Sequence, residues 1–84
     1  MAKKIKILPA PRHNEPLDAV ILGKFVRARR TQSAMGIHDA AAMCGVAVDT
    51  LRKIETAQGD VMLSSILKVC RMLGIELKVV PWEE

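Results

Sequence analysis

Eighty-four residues leave room for one domain, because a second core in so short a chain would be too small to hold itself together. Half of the residues are hydrophobic, yet only Phe25 and Trp82 are aromatic and tyrosine is absent. The core must therefore be built from Leu, Ile, Val, Met and Ala, which suits short interlocking helices. A net charge of +4 and a pI near 9.4 favour an anionic partner, nucleic acid ahead of a membrane surface. A solvated surface with a small excess of basic residues fits the same charge without any partner. No apolar stretch is long enough to span a bilayer, and the charged start runs into prolines rather than an apolar leader. A soluble, cytoplasmic protein is expected, with no membrane partner.

Residues 1–16 read as a basic arm. Pro9, Pro11 and Pro16 block a helix, and Lys4-Ile5-Lys6-Ile7-Leu8 has the make-up of a short strand. The main domain is expected over 17–80, with 81–84 as a tail. A first helix is predicted from Leu17 to about Thr31, with Leu22, Phe25, Val26 and Arg29 on one face, Asp18 near its start and arginines near its end. A second helix covers Ile37–Cys44 and stops at Gly45, a candidate left-handed position. A third runs from about Val48 to Thr56 with Leu51 and Ile54 facing inward, and 57–61 form a loop. A fourth runs from about Leu63 to Leu73, where Ile66, Leu67, Val69, Cys70 and Leu73 make a wide apolar face, and Gly74 ends it. Ile75-Glu76-Leu77-Lys78-Val79-Val80 then alternates at period two, a strand pattern closed by Pro81.

Cys44 and Cys70 lie in apolar helical contexts rather than in a paired Cys-x-x-Cys, so two buried thiols are expected. His13 and His38 make no cluster with them that would hold a metal. Neither a catalytic Ser/His/Asp set nor a phosphate-cradling glycine loop is present, so no enzyme activity, cofactor or small-molecule substrate is expected.

The stretch from Ile37 to Glu55 is the most informative. Two short helices joined by Gly45-Val46-Ala47 make a helix-turn-helix unit: small Ala41 lets the helices approach, and Val46, Leu51 and Ile54 bury the second. Its other face then points outward, as a major-groove reader requires. An ordinary helical hairpin in a small bundle has the same periodicity.

Leu22-Gly23, Arg27, Arg30, Ala41, Gly45-Val46, Thr50-Leu51, Ile54-Glu55 and Leu73-Gly74 together resemble the Cro/cI-type (Xre) helix-turn-helix family. The match runs without gaps from Leu22 to Glu55 and reaches Val80. The closing strand after Leu73-Gly74 is more similar to HipB-type antitoxins than to phage repressors that end in a fifth helix. The resemblance implies an all-α, four-to-five-helix, lambda-repressor-like domain that binds a double-stranded DNA operator and regulates transcription as a repressor. It also implies a buried ion pair between Arg30 and Glu55, both isolated charges within apolar runs, and such a pair is costly to leave half-intact. Carried over residue by residue, Ala47, Val48, Asp49 and Lys53 face the groove, with Thr50 and Arg52 near phosphates. Val48 then meets a thymine methyl, Asp49 a cytosine amine and Lys53 the guanine acceptors. Asp49 is equally well explained as a favourable charge at a helix start.

Three departures stand out. Gly36-Ile37 replaces the family's Thr-Gln at the start of the second helix, where the glutamine contacts phosphate. Ala47 replaces a capping serine or threonine, at a cost of about 1 kcal/mol. Met62 replaces the usual Ser or Thr before the fourth helix. Lys3, Lys4 and Lys6 of the arm, with Arg52, are the candidates to compensate.

A lone strand cannot satisfy its own backbone groups, so 75–80 needs a partner. Ile5-Lys6-Ile7 of the same chain is one option. The favoured option is the same strand of a second subunit, antiparallel about a two-fold axis at Leu77, which sets Glu76 against Lys78 and Ile75 against Val79. A homodimer would space two recognition helices about one DNA turn apart. The functional expectation is an antitoxin that autoregulates its operon and also meets a cognate toxin. A phage or chromosomal repressor without a toxin, and a helix-turn-helix scaffold for protein contact, are the alternatives. A DNA-binding regulator would sit at the nucleoid.

Overall fold

The computed structural model of the protein describes residues 5–11 and 16–82. Four helices follow one another: α1 (Ala19–Gln32), α2 (Ile37–Cys44), α3 (Val48–Thr56) and α4 (Leu63–Leu73). The domain is all-α, and the bounds of α2, α3 and α4 are those the apolar pattern predicts. α1 begins later than expected for a local reason. Asp18 takes the extended backbone of a cap, and its carboxylate accepts a hydrogen bond from the Ile21 amide at 2.8 Å. That bond satisfies a donor that has no partner inside the helix, so the helix starts after Asp18 and not at Leu17.

All four helices end in the same way. The amide of Met35 donates to the Arg30 carbonyl, Val46 to Ala41, Gln58 to Lys53 and Ile75 to Cys70, at 3.2, 3.0, 3.1 and 2.8 Å. Each of these bonds reaches back five residues, the closure of a Schellman turn, and each needs one residue in the left-handed region. Gly45 and Gly74 supply it at φ 71° and 75°, but Ala34 and Ala57 supply it at φ 57° and 56°. Alanine carries a steric penalty there that glycine does not. The turns therefore hold some strain at two of the four helix ends.

One core joins the helices. Leu22 and Val26 of α1, Ala40, Ala41 and Cys44 of α2, Leu51 and Ile54 of α3, and Val69, Cys70 and Leu73 of α4 form a single buried cluster. Leu51, Val26 and Val69 are its largest fully enclosed side chains. Small Ala40 and Ala41 are fully enclosed as well, which lets α2 sit close against its neighbours. Of the predicted α4 face, Val69, Cys70 and Leu73 are buried, Ile66 is half-buried and Leu67 lies outside. The Arg29 guanidinium folds across the domain and donates through Nε to the Leu73 carbonyl at 2.8 Å, tying the end of α4 to α1.

Residues 75–82 take no regular structure in the single chain. Ile75 and Leu77 pack against the core, while Glu76 and Lys78 lie outside with Oε1 and Nζ 3.9 Å apart. The alternation expected of 75–80 is thus present over its first half, but a ladder needs a second strand. Ile5-Lys6-Ile7 does not serve as that strand: residues 5–11 hold no strand either. Beyond Lys78 the chain leaves the core, with Val79, Val80 and Trp82 exposed at 95%, 84% and 83%.

Replacing Ala57 or Ala34 with glycine is expected to raise stability by about 0.5–1 kcal/mol each, the relief of the left-handed alanine less the added freedom of the unfolded chain. Urea unfolding checks this: the midpoint should rise while the slope stays constant. An unchanged or lowered midpoint would remove strain from the account of these turns.

Candidate nucleic-acid interface

The position of α3 is set from beneath by α1. Gly23 lies where the two backbones meet: a Cβ built on it would stand 2.5 Å from the Ile54 carbonyl oxygen and 2.7 Å from that of Glu55. No side chain fits, so glycine is required there for close approach. Further along α1, Arg30 grips the end of α3 with both arms of its fork. Its Nε donates to Glu55 Oε2 at 2.7 Å and one terminal nitrogen to Oε1 at 2.9 Å, while the other terminal nitrogen donates to the Met35 carbonyl at 2.9 Å. The two side chains are 11% and 4% exposed. Two charges removed from water this far are held only because nearly every polar atom has a partner.

With Leu51, Ile54 and the Glu55 carboxylate buried, α3 turns its opposite face outward. Ala47, Asp49 and Arg52 are exposed, and Lys53 and Thr50 are half-buried. Lys53 Nζ stands 3.2 Å from Asp49 Oδ2, one helical turn back. The two residues proposed to read bases therefore neutralise each other in the free chain. An exposed pair of this kind contributes only about 0.3–0.5 kcal/mol, so it yields easily to a stronger partner. Val48 is turned partly inward: it packs against the core cluster, so only part of it is open to a thymine methyl.

The face of α3 is flanked on both sides by helix starts. Arg52 lines a cleft together with Gly36, Ile37, His38 and Asp39 at the start of α2. Thr50 and Lys53 line another with Met62 and Ser65 at the start of α4. Neither start has a side-chain cap, and neither does that of α3 at Ala47. Their first amides thus carry donors and the positive end of a helix dipole beside the exposed basic residues of α3.

The other sequence-derived residues lie elsewhere. Lys6 is exposed on the arm, whereas Lys3 and Lys4 fall outside the described residues. Ile75 and Leu77 border a groove of about 300 Å³ with Leu17 and with Ile21 and Phe25 of α1. Glu76 lies at its edge, while Lys78 and Val79 are outside it. The thiols of Cys44 and Cys70 are free and buried. Burial pushes both up from the ordinary thiol range, and the neighbouring Cys44 adds to the effect on Cys70. Such thiols are weak nucleophiles and serve as packing. Among the described residues no group of three or more His, Cys, Asp or Glu is placed to hold a metal ion, and no helix is long and apolar enough to cross a membrane.

Sequence reasoning passed over the hydrogen bonds that Thr31 and Gln32 make to the arm. Arg27, one of the residues that carry the family resemblance, lines the same cleft as Arg52. Nothing local marks Thr31 or Gln32, whose partner lies in the arm.

Arg30→Ala is expected to destabilise the domain by about 3–5 kcal/mol, because Glu55 is left buried and unpaired. Replacing both partners together, Arg30→Met with Glu55→Met, should recover most of that loss. Chemical denaturation of the two variants and the wild type measures it. A double variant as unstable as Arg30→Ala would show that packing rather than the orphaned charge sets the cost. Compared with protein-family models and with the sequences of curated proteins, the chain matches none.

Proposed function

We propose that the protein is a sequence-specific DNA-binding regulator that represses transcription as a homodimer, with α3 in the major groove. The observation that carries this is the combination on one surface: exposed Asp49 and Arg52 with half-buried Lys53 on a firmly seated helix, bordered on each side by an uncapped helix start. Phosphates on the two walls of a groove call for donors on both sides of the inserted helix, and base edges call for side chains between them. The basic charge of the chain favours the same partner.

The C-terminal segment supports the dimer. Ile75 and Leu77 already rest on the core with Glu76 and Lys78 outward, so a second copy running antiparallel about Leu77 would pair opposite charges and supply the missing backbone partners. Val80 ends that segment and Trp82 lies beyond it, and both are exposed in the single chain. Exposed apolar residues of this kind suit a protein partner, which supports the finer reading: an antitoxin that autoregulates its operon and binds a toxin through its tail. A DNA-bound regulator of this kind would reside in the cytoplasm at the nucleoid.

Asp49→Ala combined with Lys53→Ala should leave folding and dimerisation intact, since neither residue touches the core. Specific operator affinity should fall by about 1–3 kcal/mol for each base no longer read, with non-specific binding retained. Selection from a random duplex pool followed by binding titrations tests this. A double variant that binds the selected site as tightly as the wild type would show that another face reads the bases. A wild type that selects no sequence would favour a scaffold for protein contact instead.

Leu77→Pro removes a donor at the centre of the intersubunit ladder and is expected to yield monomer. Sedimentation is the measurement: a wild type that stays monomeric at every accessible concentration would end the strand-paired dimer.

A further inference from the structure

The arm is fastened to the domain at one residue. The Leu8 amide donates to Thr31 Oγ1 at 3.0 Å, and Gln32 Nε2 donates to the Leu8 carbonyl at 2.9 Å. Thr31 is 4% exposed, and its hydroxyl hydrogen is directed to the Ala28 carbonyl at 3.0 Å. Its lone pairs are thereby left for Leu8. Two successive side chains at the end of α1 thus satisfy both backbone groups of one arm residue, as a strand partner would. Ile5 and Leu8 are half-buried against the domain, and Lys6 between them is exposed.

This anchoring makes the arm a wall. Ile5 and Lys6 border a cleft of about 720 Å³ whose other sides are α1, the turn into α2, the first turn of α2 and α3. Lys6, Arg27 and Arg52 bring three cations to it from three separate elements, and Arg30 reaches it already paired with Glu55. Asp39 is the one carboxylate among the described residues of the lining. Among the described residues no ion pair engages Lys6, Arg27 or Arg52. A cleft with this surplus of positive charge, and with the uncapped start of α2 in its lining, attracts a compact polyvalent anion.

We propose that the cleft binds a phosphate group through Lys6, Arg27 and Arg52, and that Thr31 and Gln32 are positioning residues that hold Lys6 in place by clasping Leu8. The site itself stands apart from the DNA reading. Only the source of the phosphate rests on it: a strand phosphate beside the groove that α3 enters, or a free phosphate or phosphorylated small molecule.

Two measurements on the full chain test it. The first is titration of the protein with inorganic phosphate, followed by amide chemical shifts. The wild type should show saturable shifts at Lys6 and over 36–39, with chloride at equal ionic strength giving none. Arg27→Ala should abolish them, and Gln32→Ala, an exposed change that spares the core, should weaken them as much as Lys6→Ala does. Adding Lys6→Ala to Gln32→Ala should then cost little more. Thr31→Val, which keeps the shape but removes the acceptor, should behave like Gln32→Ala and should also speed hydrogen exchange at the Leu8 amide. The second measurement is the salt dependence of duplex binding, where removing one cation from a phosphate should lower the log–log slope by about one. A lowered slope in both Arg27→Ala and Lys6→Ala assigns the site to the DNA backbone. Phosphate shifts abolished in Arg27→Ala with an unchanged slope assign it to a free phosphorylated ligand. No saturable shift in the wild type, together with an unchanged slope in both variants, overturns the site. Fully additive effects of Lys6→Ala and Gln32→Ala overturn the clasp. If the wild type selects no DNA sequence at all, the regulator reading fails, and the phosphate titration still decides the cleft.

Discussion

The crossing of α1 over the end of α3 is the constraint on which the rest depends. It combines a place with no side chain, Gly23, and a place with two buried charges, Arg30 and Glu55. The first sets how close the helices come, and the second sets their register. Because Arg30 also holds the Met35 carbonyl, the same clamp fixes the turn from which α2 departs. The attraction within such a pair is offset by the loss of hydration, so its contribution lies in excluding other arrangements more than in net stability. Once α1, α3 and the entry to α2 are locked, the outward residues of α3 have no freedom to choose another face.

Three of the helices begin at Gly36, Ala47 and Met62, none of which offers a side-chain acceptor. A serine or aspartate would stabilise the helix by about 1 kcal/mol at Ala47 or Met62 and by a few tenths at Gly36, through the kind of bond that Asp18 makes for α1. The three uncapped starts adjoin or belong to the exposed face of α3, while the capped start of α1 meets that face only at Lys53, which shares a small cleft with Ala19. Forgone stability concentrated at one surface is what a binding surface with its donors kept open would show.

Much of this fold was readable in the amino-acid order, and the exceptions share a cause. α2, α3 and α4 could be bounded because apolar periodicity and Gly45 and Gly74 are local signals. The turns at Ala34 and Ala57 could not be foreseen, since alanine carries no mark of a left-handed backbone and tertiary packing imposes it. The pairing of Arg30 with Glu55 came from family resemblance, because no local spacing connects residues 25 apart. The fastening of Leu8 by Thr31 and Gln32 spans a similar distance through side chains common on any surface. The alternation over 75–80 reads as a strand pattern, yet these residues take no regular structure, because a strand is a property of a pair and none of the described residues pairs with them.

The placement of Trp82 gives the molecule an unusual optical character. It is the one indole of a chain without tyrosine, and it lies 83% exposed, outside the four-helix core. Near-ultraviolet absorbance and emission therefore belong almost wholly to the tail. Melting of the helices leaves that ring in water, as it was before, so its fluorescence changes little when the core is lost. A blue shift in the same emission would instead signal that something has come to cover the tail.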